Sequence, residues 1–77
     1  MRPFNITVNN KSVPMTEHRV TGIEVKKAAI EAGVEIEIDF QLSIRRPNGR
    51  FEVIDDNEPV ALTEKSVFRA VAPDDNS

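Results

Sequence analysis

The sequence predicts a single α+β domain in which one helix packs across a sheet of four to five strands. A short segment from Thr21 to Gly33 carries both a start signal and a stop signal for a helix. Strand-like alternation of apolar and polar residues lies on either side of that segment, and no second helical pattern occurs. The 77 residues, 39% of them hydrophobic, are enough for one core only.

The helix is predicted from its two ends. Thr21 and Glu24 have the spacing of a capping box. In that motif the threonine oxygen accepts from one free backbone N–H at the start of the helix, and the glutamate side chain accepts from another. Val20 and Val25 occupy the positions of a hydrophobic staple across that cap. Gly33 stands where a left-handed residue ends a helix. The charged residues of the segment are expected on its solvent side: Glu24, Lys26, Lys27 and Glu31.

A hairpin is predicted before the helix. Residues 4–8 alternate apolar and polar side chains, which is typical of a strand with one buried face. Asn9-Asn10-Lys11 is a tight-turn sequence, because asparagine tolerates a positive φ. Residues 12–17 form the returning strand. Pro14 cannot donate to a sheet ladder, so this strand is expected at an edge or with a bulge.

Further strands are predicted after the helix. The clearest are residues 40–45, 51–54 and 66–71, with a turn at Pro47-Asn48-Gly49-Arg50 between the first two. Residues 34–39 also alternate and are either a strand or an extended connection. Residues 60–62 are expected to re-enter the core. Pro73 ends the last strand.

This order of elements favours one topology. A lone amphipathic helix must bury its apolar stripe against the one sheet available. The economical arrangement places the first and last strands side by side at the centre of a mixed sheet, which is the β-grasp, or ubiquitin roll. A ferredoxin-like fold needs a second helix, and an SH3-like barrel leaves no place for a three-turn capped helix. We expect a domain over residues 1–72 and a flexible C-terminal tail over residues 73–77.

Composition and charge argue against several functions. The chain has no cysteine, so it forms no disulfide and offers no thiolate to a metal or a substrate. His18 is the only histidine and is expected at the surface, so neither a metal site nor a catalytic triad is predicted, and no cofactor is expected. A net charge of −3 argues against nucleic-acid binding. The first residues contain no apolar run, which predicts a cytoplasmic protein without a membrane partner.

One sheet face is a candidate partner-binding surface. If Phe40, Leu42 and Ile44 face the helix, the residues between them face outward, and the same parity applies to the last strand. The candidate residues are Gln41, Ser43, Arg45, Arg46, Val67, Arg69 and Val71. Arginine is favoured at protein interfaces for its planar, multivalent guanidinium group. An ordinary solvated sheet face is the alternative interpretation.

Several segments together resemble a known family. The residues that carry the resemblance lie in segments 4–8, 20–22, 29–33, 55–62 and 67–69. Their order and spacing resemble the bacterial multi-ubiquitin family over about Phe4 to Val71. Members of that family are prokaryotic ubiquitin-like domains, single or in tandem, found beside bacterial E1-, E2- and peptidase-like proteins.

The resemblance implies a protein modifier that is not itself an enzyme. An E1-like adenylating enzyme would activate its C-terminus, an E2-like carrier would receive it, and target proteins would be joined to it through an isopeptide bond. A processing or deconjugating peptidase is a further implied partner, and the free protein is expected to be a monomer. The candidate conjugation tail is Asp74, Asp75, Asn76 and Ser77.

One departure from related modifiers concerns this tail. Ubiquitin-like modifiers and sulfur carriers usually end in Gly-Gly, whereas the last glycine of this sequence is Gly49. A sulfur-carrier function is therefore disfavoured, and conjugation requires a tolerant E1-like enzyme or prior trimming by a peptidase. The alternative function is a non-covalent adaptor that docks through the outer sheet face.

Overall fold

The computed structural model of the chain describes residues 2–73. Within them, one helix and seven strands form in the order β1 (Phe4–Val8), β2 (Lys11–Met15), β3 (Arg19–Thr21), α1 (Gly22–Glu31), β4 (Gln41–Arg45), β5 (Phe51–Ile54), β6 (Pro59–Ala61) and β7 (Val67–Val71). Five strands form one mixed sheet in the order β2-β1-β7-β4-β5. β1 and β7 lie parallel at its centre, and the helix packs across one face, so the predicted β-grasp is confirmed.

The predicted N-terminal hairpin forms, although its second strand spans Lys11–Met15 rather than residues 12–17. Asn9 and Asn10 have φ angles of 51° and 67°, which are the left-handed values that a two-residue hairpin turn requires. The Asn9 side chain also extends the β1–β7 ladder: its Nδ2 donates to Ala70 O at 3.0 Å, and its Oδ1 accepts from Ala70 N at 2.9 Å. Pro14 lies in β2, which is an edge strand.

Both ends of α1 have the predicted caps. The Thr21 N–H donates to Glu24 Oε1 at 2.8 Å, which is the reciprocal bond of a capping box. At the other end, Gly33 has a φ of 94°. The Gly33 N–H then donates to Ile30 O at 3.1 Å and the Val34 N–H to Ala29 O at 3.0 Å, which is the Schellman pattern.

The predicted order of strands was incomplete in one respect. β3 and β6 pair antiparallel as a separate two-stranded sheet, with Val20 opposite Val60, and β3 was not predicted at all. Residues 34–39 form no strand and are the extended connection left open by the sequence. Val34 and Ile36 nevertheless bury their side chains in the core, while Ile38 stays exposed.

The core lies between the helix and the sheet. Its members are the apolar residues that alternate inward from the strands of the main sheet, two residues of the helix and five from the connecting segments and the small sheet; the largest fully buried side chains are Ile6, Val8, Val13, Val25, Leu42, Leu62 and Phe68. Phe40 packs against this cluster while only half buried. In β1, β4 and β7 the alternation in the sequence predicted the inward side chains correctly.

The loop that follows β5 holds the first turn of the helix. Gly22 N–H donates to Glu58 O at 3.2 Å, and Ile23 N–H donates to Asp56 O at 3.1 Å. A Cβ on Gly22 would lie 2.4 Å from Asp55 O, so only glycine allows this approach. Loop carbonyls therefore satisfy two of the N–H groups that a helix N-terminus leaves free.

Lys26 corrects the sequence-based assignment of the solvent side of α1. The residue is only 3% exposed. Its ammonium donates to Phe40 O at 2.8 Å and pairs with Asp56 Oδ1 at 2.7 Å. Two segments outside the helix thus supply the acceptors, and burial becomes possible because the charge is paired with a carboxylate and hydrogen-bonded to a carbonyl.

Candidate functional site: the outer face of the sheet

The outer face of the five-stranded sheet gathers most of the predicted partner-binding residues. In the β4–β7 ladder, Gln41 lies opposite Val71 and Ser43 opposite Arg69. Opposed residues point to the same side of a sheet, and their neighbours Leu42 and Ala70 are buried toward the helix. The predicted residues that share this outer face are Gln41, Ser43, Arg45, Val67, Arg69 and Val71. Whether the face binds a partner stays a prediction.

Arg46 does not belong to this face. Its Nε lies 2.6 Å from Glu52 Oε1, and its second guanidinium nitrogen also contacts that carboxylate. Glu52 stands opposite Ile44, whose side chain is buried on the helix side. One residue beyond Arg45, the alternation of the strand has thus turned Arg46 away from the other candidates.

Phe51 and Val53 join the outer face and were missed as site residues. They stand opposite Arg45 and Ser43 in the β4–β5 ladder, so their side chains point outward. Val53 is 49% exposed and Val71 is 45% exposed, on either side of the β4 residues between them. The sequence carries no signal for this, because Phe51, Val53 and Ile54 are all apolar and either parity of β5 could face the core; the burial of Ile54 in the structure decides it.

The face is positively charged in a chain that is negative overall. Its eight named residues, six predicted and two added, include two arginines and no acidic side chain, whereas the chain carries a net charge of −3. The Arg69 guanidinium lies over the Phe51 ring, 4.1 Å from the ring centroid. Such a cation–π contact at an exposed site contributes about 0.5–1 kcal/mol. Among the described residues, neither Arg45 nor Arg69 forms an ion pair.

The sequence was compared with models of known protein families to find the family to which the domain belongs. The model described as multiubiquitin matches residues 4–75. The chain belongs to the multiubiquitin family. No curated protein matches it, and neither does any solved structure.

The position of β7 relates the face to the C-terminus of this multiubiquitin domain. β7 lies between β1 and β4, and its last residue, Val71, is an outer-face residue. The chain therefore leaves the sheet beside the outer face, through Ala72 and Pro73. The four residues of the candidate conjugation tail, Asp74, Asp75, Asn76 and Ser77, lie outside the described residues.

His18 has a structural environment in this multiubiquitin domain. Its ring stacks on Phe4 with centroids 4.3 Å apart and planes 7° from parallel. Its Nδ1 lies 3.1 Å from Leu62 O, so that nitrogen carries the proton, since a carbonyl oxygen only accepts. The ring thus joins β1 to the segment after β6.

The described part of this multiubiquitin domain holds no cluster of side chains suited to bind a metal ion. Across residues 2–73, no three His, Asp or Glu side chains lie close enough to hold a metal ion. The groove between β2 and α1 is lined by Met15, Val20, Ala28, Glu17 and Glu24, and the last of these is engaged in the helix cap. The one helix in that range is neither long nor apolar enough to span a membrane.

Proposed function

We propose that the chain is a ubiquitin-like protein modifier, activated at its C-terminus by an E1-like enzyme and passed through an E2-like enzyme to target proteins. Membership of the multiubiquitin family is the observation that carries this proposal. The architecture supports it, because β7 delivers the chain from the centre of the sheet to one end, where an extended tail can enter a partner enzyme.

The chemistry would lie with the partners. The terminal carboxylate of the modifier attacks the α-phosphate of ATP and releases pyrophosphate, which gives an acyl-adenylate. A thiol or hydroxyl of the carrier displaces AMP, and a target amine then displaces the carrier to form the amide bond. The modifier supplies the acyl group and no catalytic side chain. It acts in the cytoplasm as a monomer during transfer.

The tail would adapt this scheme to a sequence without a terminal glycine pair. The acidic residues Asp74 and Asp75 suit a basic channel in the adenylating enzyme. Activation proceeds either at the end of the sequence as it stands or at a residue exposed by a peptidase.

The decisive experiment is the intact mass of the protein after co-expression with the enzymes that its neighbouring genes encode. We expect an enzyme-linked ester or a target adduct for the full chain. Deletion of residues 74–77 removes no described element, so the variant should fold and form no adducts. Adduct formation at full yield by the deletion variant, with the mass showing no trimming before Asp74, would contradict a tail-mediated mechanism.

A second function, a non-covalent adaptor, is favoured by the outer face itself. Two arginines without ion pairs among the described residues and two valines that are nearly half exposed lie on the same face of the sheet. Arginine and apolar side chains around a flat centre are typical of protein interfaces. In this role the domain would bind its partner through the outer face and need no tail.

Charge reversal on the face separates the two functions. Arg69→Glu should abolish partner capture by an adaptor, measured by isothermal titration with the co-expressed partner, while deletion of residues 74–77 leaves that affinity unchanged. Arg19→Glu is the matched control, because Arg19 is also an exposed strand residue but lies in the small sheet. Equal affinity of the Arg69 and Arg19 variants would exclude the outer face as the docking surface.

A further inference from the structure

The two edges of the five-stranded sheet are not equally protected against pairing with another strand. Thr7 N–H donates to Ser66 O at 3.0 Å and Asn9 N–H donates to Phe68 O at 3.1 Å, so alternate residues of β1 direct their backbone groups to β7. The other residues of β1 bond to β2, where Val8 faces Lys11 and Ile6 faces Val13. Pro14 therefore directs its backbone toward the free edge, where it lacks a donor.

The opposite edge, formed by β5, has no such interruption. Arg46 N–H donates to Arg50 O at 2.7 Å, and the alternation of bonded pairs then continues through Ile44–Glu52 and Leu42–Ile54. Phe51 and Val53 consequently point their N–H and C=O groups away from β4. No described strand lies beyond β5, so two donors and two acceptors are presented in a row.

Charge is distributed unevenly along this open edge. Arg45, Arg46 and Arg50 lie at the end where β5 begins, and Asp55 and Asp56 follow immediately after its last residue. A strand that pairs well with β5 needs the reverse order of charge. An antiparallel second copy of the same strand has that order by symmetry.

The geometry points to association of two copies of this chain through their β5 edges, antiparallel and around a twofold axis. The occupant of the edge is thus a second copy, and the two five-stranded sheets become one continuous sheet. This association goes beyond the proposed function, because it requires neither the tail nor any enzyme.

Only Phe51 and Val53 direct their backbone groups to the free edge, so one of these two must lie opposite one of the same two in the second copy. This leaves three possible registers. Pairing Phe51 with Val53 of the second copy would place Glu52 of one copy directly opposite Glu52 of the other, and these two carboxylates repel each other. Pairing Phe51 with Phe51 would place Val53 opposite Gly49, a turn residue with a φ of 87°. Pairing Val53 with Val53 avoids both problems, forms two backbone bonds at the axis and brings Arg50 to the acidic end of the second copy's strand, twice by symmetry. The ladder goes no further in this register, because the backbone N–H and C=O of Asp55 already bond to Glu58.

Two features of the edge set the expected strength. The exposed Val53 side chains meet at the twofold axis, which removes apolar surface from water. The strand has only four residues, however, so the buried area is below that of a stable dimer. We therefore expect reversible association with a dissociation constant on the order of 0.1–1 mM.

Sedimentation velocity of the full chain, from about 10 μM to about 1 mM, tests the association. The weight-average mass should rise from the 8.6 kDa of the monomer toward twice that value. Val53→Lys should reduce the association constant about tenfold or more, because two ammonium groups would meet at the axis. Val71→Lys is the matched control: Val71 is comparably exposed on the same face but lies in a central strand, and its substitution should leave association unchanged.

A charge variant checks the register. Arg50→Glu should weaken association strongly at low salt, whereas Arg19→Glu should not. A monomeric mass of the unmodified chain over the whole concentration range would overturn the inference. Equal losses for Val53→Lys and Val71→Lys would also overturn it, because they would indicate face-to-face rather than edge-to-edge contact.

Discussion

The inner and outer sides of the five-stranded sheet are built from the same strands but differ in what contacts them. Leu42 and Phe68 on the inner side are 1% exposed and pack against the helix-bound core. Their neighbours on the outer side, Ser43 and Arg69, have only other outer-face side chains beside them among the described residues. The inner side therefore determines stability, and the outer side is available for recognition at little cost to the fold.

The largest effect in this comparison is expected for Leu42→Ala. Truncation of a fully buried leucine removes apolar contacts and leaves a cavity, which lowers the free energy of unfolding by about 2–5 kcal/mol. Ser43→Ala, one residue further on the outer side, should change it by less than about 0.5 kcal/mol. Urea denaturation followed by circular dichroism measures both. Similar losses for the two variants would contradict the assignment of the two sides.

The parts of the fold that the sequence predicted are those with local signals. Thr21 and Glu24 are three residues apart, and Gly33 follows the last helical turn directly, so both caps can be inferred without tertiary information. Pro14 likewise indicated an edge strand by its missing donor. The alternation of residues 41–45 and 67–71 indicated which side chains are buried.

The parts that were missed depend on pairing between distant segments. β3 and β6 are three residues each, too short for a recognisable alternation, and Val20 finds Val60 only after the chain has folded. Lys26 was assigned to the solvent side because a lysine in a helix is usually exposed. Its acceptors, Phe40 O and Asp56 Oδ1, come from two other segments that helix periodicity cannot indicate.

The candidate site shows the same division. Parity within β4 placed Gln41, Ser43 and Arg45 together, but Arg46 lies past the end of that strand and pairs with Glu52 instead. Phe51 and Val53 could be added only when the register between β4 and β5 was known. What such a face would bind depends on the surface of the partner as well, which this sequence does not encode.

Lys26 extends the comparison of buried and exposed side chains to a charged residue, because its side chain is buried. Lys26→Met keeps the length of the side chain and removes both polar contacts of the ammonium. Phe40 O then loses its side-chain donor, while Asp56 stays half exposed and solvated. We expect a loss of about 1–2 kcal/mol in the free energy of unfolding, smaller than for Leu42→Ala.

The exposed ion pair of Arg46 and Glu52 provides the contrast, with the smallest expected effect. Both side chains are about half exposed, so Arg46→Gln should lower the free energy of unfolding by less than about 0.5 kcal/mol, and less still in high salt.

Amide hydrogen exchange distinguishes the Lys26–Asp56 pair from the Arg46–Glu52 pair by location. Ile23 N–H donates to Asp56 O, so Lys26→Met should accelerate its exchange by loosening that loop, whereas Arg46→Gln should leave it unchanged. Unchanged Ile23 exchange in Lys26→Met would contradict this expectation and show that the backbone bonds to the helix hold the loop without the ion pair.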